Sequence, residues 1–412
     1  MSVAEHVSRE RLWERHMLLA RHGATPAKGV NRQALSAEEI AARRELIEWA
    51  GPLALAAYTD AAGNFFLRME GRDRSAAPVL SGSHLDSQPT GGKFDGVYGV
   101  LAALEVMEAM RASGHTPRRP IEVVAWMNEE GSRFTPGMMG SAAFAGAAPL
   151  SEMLPIRDAK GVSVEQGLAD MKRAFPSVPE RGLGRPVAAY VETHIEQGPV
   201  LEKRGFSVGV VTGIQGKRTW RISVIGEEAH AGTSQRRDRR DALLAATAMI
   251  QALAKALHDE EDIVKFTVGR LEVKPNAPSV VAGQAVFSID LRHPVEATLR
   301  TLGDGVPGIC KANAGACSVK VEELVSAMPL EFPASMRDEI RAAAKRLGLR
   351  TMDLPSAAGH DSRYLHYICP SGMIFVPCKD GISHNEAESA TADDLYDGAR
   401  VLAETLAALA NR

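Results

Sequence analysis

Cysteine is scarce in this chain. Only Cys310, Cys317, Cys369 and Cys378 occur in 412 residues, and no two of them form a CxxC pair. Four such residues are too few for a disulfide framework, so a reduced, cytoplasmic setting is expected. Long apolar runs are missing as well: none approaches the roughly 20 residues that cross a bilayer. Charge of neither sign prevails, and a net charge of −3 predicts no attraction to nucleic acid or to an anionic membrane. Residues 1–20 alternate charged and apolar positions as an amphipathic helix would, which differs from a signal peptide. Internal repeats and low-complexity tracts are absent too, and the glycine-bearing stretch 84–96 matches neither of the phosphate-binding patterns GxGxxG and GxxxxGK[ST].

The composition that remains, 45% hydrophobic and 24% charged, is that of a globular protein, and the length predicts two or three domains. Helices are expected over 3–22 and 36–50, the second opened by Ser36 with Glu39 three residues on. Short strands follow near 53–58 and 64–68. An α/β alternation comes next: strand 78–83, helix 97–112, strand 121–126, helix 139–146, strand 187–193 and helix 197–204. Apolar strands such as Ile121–Trp126 predict burial on both faces, with helices covering the sheet. Residues 147–186 read as an irregular or partly helical insertion. Beyond Gly213 the order becomes β-α-β-β-α-β, a ferredoxin-like unit, built from 218–225, 240–257, 262–271, 284–291, 295–313 and 318–325. The first pattern then resumes with helix 333–347, strand 350–354, a short helix after Gly359, strand 372–376 and helix 391–411. The expected architecture is a catalytic domain with a mixed sheet (1–212 and 328–412), interrupted by a ferredoxin-like domain (213–327).

The chemistry concentrates in His84-Leu85-Asp86-Ser87-Gln88-Pro89-Thr90-Gly91-Gly92-Lys93-Phe94-Asp95-Gly96. One imidazole and two carboxylates sit in a loop between a strand and a helix, where α/β enzymes place their reactive groups. His84 and Asp95 read as metal ligands, and Asp86 as the carboxylate that fixes the His84 ring. Asn128-Glu129-Glu130-Gly131, Glu192-Thr193-His194-Ile195-Glu196-Gln197 and Ser383-His384-Asn385-Glu386 also lie beside predicted strand ends and could converge on one sheet edge. Imidazole and carboxylate without thiolate suit Zn²⁺, Mn²⁺, Co²⁺ or Ni²⁺. Two such ions among three neutral imidazoles and two carboxylates keep surplus positive charge, which would acidify a water and polarise a carbonyl. Of two adjacent glutamates, one can be a ligand and the other a base. Glu192 could support a ligand or face solvent.

The strings GSHLDSQPTGGKFDG, NEEGSRFTPGMMGS, YVETHIEQGPVLE, GHDSRYL and GISHNEAE resemble, in order, the amidase, hydantoinase and carbamoylase branch of the dinuclear aminoacylase and carboxypeptidase superfamily. The resemblance implies one metal on His84, Asp95 and His194 and a second on Asp95, Glu130 and His384, hence two divalent ions per subunit with Asp95 as bridge. It also implies Glu129 as general base and acid, and Asp86 as the orienting carboxylate. The inserted domain would be a lid that also dimerises. Its His230, in Gly226-Glu227-Glu228-Ala229-His230-Ala231-Gly232-Thr233, would stabilise an oxyanion. Asn276 and Arg292 would bind substrate, the arginine by gripping a carboxylate; Gln197 and the backbone at Gly359 would add further contacts.

Two departures from the family pattern stand out. Ser234-Gln235 replaces the usual Pro-Met, and Arg236, Arg237, Arg239 and Arg240 follow. The run is either a solvated face offset by Asp238 and Asp241, or a change in access for an anionic substrate. The expected activity is hydrolysis of an N-carbamoyl-L-amino acid, with allantoate or another ureido acid second and an aminoacylase or dipeptidase third. A non-catalytic metal-binding scaffold is disfavoured, because the proposed base and all five ligands are present.

Overall fold

The computed structural model describes residues 2–412 and divides the chain into two compact units. One comprises the chain up to Thr212 and from Phe332 on; the other is Gly213–Glu331. The second unit thus runs four residues past the expected boundary at 327, until Phe332 N–H bonds Thr212 O at 2.9 Å in the first unit.

The first unit is built on one mixed sheet. Its neighbours run Val208–Ile214, Ser371–Val376, Ala189–Ile195, Val79–His84, Ile121–Trp126, Phe65–Met69, Ala56–Asp60 and Glu180–Arg181, with Thr351–Ser356 also paired to Val208–Ile214. The four strands from Ser371–Val376 to Ile121–Trp126 are mutually parallel. The two that follow, Phe65–Met69 and Ala56–Asp60, pair antiparallel. Parallel strands point their carboxyl ends the same way, so the loops after them gather along one edge.

Helices cover both faces. Val97–Ala112 buries nearly its whole circumference, because it lies between the sheet and the helices Arg9–Leu19 and Ala392–Leu409. An all-round apolar helix needs cover on every side, and this one has it. On the opposite face Phe66, Trp126, Phe144, Tyr190 and Leu365 form a second cluster.

Several details differ from expectation. The N-terminal helix is two pieces, Val3–His6 and Arg9–Leu19, the second capped by Ser8. Ser36 does cap Ala37–Ala50 through Glu39 N–H, but Glu39 does not return a bond to Ser36. Its carboxylate takes Leu35 N–H and the Arg43 guanidinium instead. The segment 147–186 holds Leu150–Met153 and Val164–Ala174, the latter with a Ser163–Gln166 capping box, and ends in the edge strand Glu180–Arg181.

The second unit orders its strands Lys265–Thr267, Gln284–His293, Gly216–Ile225 and Ser318–Ala327, all antiparallel, with Leu271–Lys274 also on Gln284–His293. Helices Ala242–Ala256 and Glu296–Ala312 pack on this sheet. This is the βαββαβ arrangement, except that the strand expected at 262–271 is two short pieces. Gln284–His293 alternates buried and half-buried along its length, so one face meets the helices through Phe287, Ile289 and Leu291.

Glu122 is the anomaly in an otherwise apolar central strand. It is 3% exposed and holds two guanidinium groups, Arg68 opposite it in register and Arg181 from the edge strand, at 2.9 and 2.7 Å. Removing the carboxylate strands two buried cations, so Glu122→Ala should cost about 3–5 kcal/mol of stability. Denaturant unfolding of the variant checks this; a loss under about 1 kcal/mol would mean that water replaces the carboxylate.

Candidate active site

Strand geometry assembles the first three site residues. Val79–His84 ends in His84, the parallel neighbour Ala189–Ile195 carries His194 one position from its end, and Asn128-Glu129-Glu130 follows Ile121–Trp126. Each imidazole has its tautomer set by the backbone. His84 Nδ1 lies 2.8 Å from Asp86 O, and His194 Nδ1 2.8 Å from Ile195 O. A carbonyl only accepts, so Nδ1 carries the proton and Nε2 keeps a lone pair, which in His194 accepts Gly96 N–H at 3.1 Å.

Both Nε2 atoms face Asp95. His194 Nε2 is 3.1 Å and His84 Nε2 3.7 Å from Oδ1, while His384 Nε2 is 3.4 Å from Oδ2. Glu130 Oε2 lies 3.3 Å from the same His384 nitrogen. Two triads able to hold a cation result, His84–Asp95–His194 and Asp95–Glu130–His384, which share Asp95. The first is fully buried, whereas His384 in the second is half exposed. Glu129 belongs to neither, and its Oε2 stands 3.5 Å from His84 Nε2.

Gly96 makes this approach possible. A Cβ there would lie 2.3 Å from the His84 ring, and the residue sits at φ +66°, in the left-handed region that favours glycine.

The electrostatics fit a missing positive charge. Burial, with Asp361, Glu130, Asp86 and Asp95 nearby, pushes Glu129 well above the usual carboxylate range. Burial beside Asp95 and Asp86 does the same to Glu130. Burial lowers His84 to about 4, which keeps the ring neutral. Asp95 moves the other way: burial raises it, but the His194 hydrogen bond and the charges of His194, His84 and His384 outweigh that and hold it low. Burial lowers His194 as it does His84, but the hydrogen bond and charge of Asp95 outweigh it and raise that ring. Imidazole nitrogens and carboxylates gathered this closely form a donor set suited to divalent cations.

Asp86 acts differently from expectation. Its carbonyl orients the His84 ring, whereas its carboxylate, 3.7 Å from the ring nitrogen, accepts Glu129 N–H and Glu130 N–H at 3.2 Å each. The carboxylate therefore fixes the Glu-Glu loop. Gln197 likewise turns toward a ligand: its Nε2 donates to Asp95 Oδ2 at 2.9 Å, and its buried Oε1 has no hydrogen-bond partner. Glu192 is fully buried and accepts from Ser83 Oγ at 2.7 Å and Ser362 N–H at 2.9 Å, so it does not face solvent. Gln88 Nε2 donates to Glu130 Oε2 at 2.7 Å. Gly359 is exposed, next to the buried His360 whose ring packs 4.6 Å from that of His194. Glu388 and Ser383, to which the sequence assigns no role, both contact the Asp95 segment. The acidic tail of GISHNEAE was the only signal for Glu388.

In the second unit His230 is exposed and its Nδ1 accepts Gly232 N–H at 3.0 Å and Thr233 N–H at 3.2 Å. The neutral ring therefore carries its proton on Nε2, as a donor. Asn276 follows the cis Lys274–Pro275 bond at φ +57°. Arg292 is held by Asp290 at 2.9 Å. In the basic run, Arg239 is half-buried and donates to Ala231 O at 2.7 Å and Ser234 O at 2.9 Å, while Ser234 Oγ donates to His230 O at 2.7 Å.

A parallel sheet edge bearing two linked imidazole–carboxylate groups and a further glutamate is an arrangement suited to metal-assisted hydrolysis. The chain belongs to peptidase family M20/M25/M40, whose sequence pattern matches residues 80–408. It is 39% identical to the N-carbamoyl-L-amino acid amidohydrolase of Geobacillus stearothermophilus, covering 97% of this chain and 98% of that one. It is 34% identical to the allantoate amidohydrolase of Escherichia coli, over 95% and 96% of the two chains. The crystal structure of an amidase of the hydantoinase/carbamoylase family from Burkholderia multivorans superposes with a TM-score of 0.90 at 41% identity, covering 98% of each chain. Family membership and the two ligand groups together point to divalent-metal binding. Among the described residues, no helix is long and apolar enough to cross a membrane.

Proposed function

We propose that this protein is an amidohydrolase that cleaves a linear carbon–nitrogen bond in a small anionic substrate, an N-carbamoyl-L-amino acid. The observation that carries the reading is the Asp95 carboxylate divided between two ligand groups, with the Glu129 carboxyl standing free beside them. The Geobacillus relative supports the substrate class.

Two divalent ions, from among Zn²⁺, Mn²⁺, Co²⁺ and Ni²⁺, are assigned to the site: His84, Asp95 and His194 would hold one, and Asp95, Glu130 and His384 the other. When bound, they supply the positive charge that acidifies water and polarises a carbonyl. Glu129 accepts a proton from the attacking water and delivers it to the departing nitrogen. The Glu129 main chain is fixed by Asp86, so the carboxyl keeps its aim through both transfers. His230, whose ring proton lies on Nε2, donates to the oxyanion of the tetrahedral intermediate. Arg292 binds the substrate carboxylate, with Asn276, the Gln197 Oε1 and the backbone at Gly359 as further contacts. One water is consumed, and the products are the free amino acid, carbon dioxide and ammonia. Allantoate is the second reading, favoured by the Escherichia coli relative. The protein is assigned as a cytoplasmic homodimer joined through the inserted unit.

The deciding assay sets metal-reconstituted enzyme against N-carbamoyl, N-formyl and N-acetyl amino acids, allantoate and dipeptides. Ammonia release confined to N-carbamoyl amino acids is expected; turnover of acyl or peptide substrates alone would sink the proposal. Glu129→Gln should keep its metal content while kcat falls roughly 10²–10⁴-fold. Unchanged turnover would remove Glu129 from the chemistry. Replacing Arg292 by Ala should raise KM about ten- to a hundredfold for substrates with a free carboxylate, because hydrogen bonds to charged groups are worth about 1.5–3 kcal/mol. Equal effects on the corresponding amides would discard the clamp. Sedimentation should give a dimer mass, and a fully active monomer would refute the assembly.

A further inference from the structure

Glu388 takes no part in the chemistry above, yet it is 5% exposed and lies directly behind the shared ligand. Its Oε1 accepts two successive backbone donors, Phe94 N–H at 2.8 Å and Asp95 N–H at 3.1 Å. Its Oε2 is 3.0 Å from Ser383 Oγ. That hydroxyl is in turn 2.8 Å from Asp95 Oδ2, the oxygen that faces His384. The backbone makes room for this carboxylate: a Cβ on Gly92 would fall 2.0 Å from Glu388 Cδ. Glu388 therefore ties the loop that carries Asp95 to the loop that carries Ser383 and His384.

The two ligand groups depend on this tie unequally. His84 and His194 sit on buried strands and have their rings fixed by carbonyls. His384 lies on a loop, its side chain 50% exposed and its backbone at φ +52°. Its distance from Asp95 is set by how the two loops are held together. A hydroxyl has one proton, so Ser383 donates to Asp95 or to Glu388, not to both. A cation that takes up the charge of Asp95 Oδ2 frees that proton for Glu388, and each oxygen keeps a partner.

We infer that Glu388, acting through Ser383, is a positioning residue that sets the Asp95–Glu130–His384 group and thereby the affinity of that position for a divalent cation. The inference rests on the two-ion reading of the site. Its test is titration of metal-free protein with Co²⁺ alone, followed by calorimetry and visible absorption, with circular dichroism as a check on folding. Wild type should take up two equivalents. Glu388→Gln should bind the first like wild type and the second roughly 10–100-fold more weakly. Ser383→Ala, which leaves the backbone bonds of Glu388 in place, should weaken the second by a smaller factor. Two equivalents of wild-type affinity in Glu388→Gln overturn the inference alone, as does equal weakening of both. If Glu388→Gln does not fold, wild-type affinity for both equivalents in Ser383→Ala overturns it. A single equivalent in wild type overturns the two-ion reading and this inference together.

Discussion

One carboxylate, that of Asp95, holds the site together. Its Oδ1 faces His84 and His194 and its Oδ2 faces His384, with Glu130 close by. Burying a carboxylate is costly unless charge or hydrogen bonds compensate it. Here three imidazoles hold Asp95 below the ordinary carboxylate range. Glu129 and Glu130, a few ångströms away, are pushed the opposite way by burial and by the carboxylates around them, which outweigh the Gln88 hydrogen bond to Glu130. Glu130 moves with Glu129, so the shift does not separate ligand from base; what sets Glu129 apart is that it belongs to neither ligand group.

The fold supplies the precision this needs. Parallel strands bring His84, His194 and the Glu129–Glu130 loop to one edge, and the helix Val97–Ala112 begins directly after Asp95. Because that helix is covered on all sides, its first turn has little freedom to shift. Far from the site, Glu122 with Arg68 and Arg181 joins the central strand to two further strands. Replacing buried ion pairs by apolar groups is often neutral in stability, whereas removing one partner alone leaves the other charge buried and unpaired.

Ligand-bearing loops were legible in the sequence because each follows a strand, and strand ends are marked by an apolar run that stops. The six-element order of the second unit was legible for the same reason. Val208–Ile214 was not: Gly209 and Gly213 interrupt its apolar pattern, and burial on both faces removes the alternation that marks a strand. The strand expected at 262–271 is instead Lys265–Thr267 and Leu271–Lys274, with Gly269 in the break between them. At the site, residue types were legible and atoms were not. Whether Asp86 orients His84 by carbonyl or carboxylate depends on backbone torsion, which no spacing encodes. Glu388 escaped notice because its partners, Phe94, Asp95 and Ser383, are joined to it by the tertiary fold.

The arginines of the basic run differ in what they contact. Four arginines near His230 suggest attraction for an anion, but Arg239 spends its guanidinium on the backbone of the loop beginning at His230. Ser234, at a departure from the family pattern, contributes a hydroxyl that bonds His230 O and accepts from Arg239 Nε at 3.0 Å. Arg240 donates to Ala316 O, and Arg237 lies 3.8 Å from Asp238. A proline could not supply that hydroxyl. Ser234 and Arg239 thus hydrogen-bond to the backbone of the turn whose N–H groups fix the His230 tautomer.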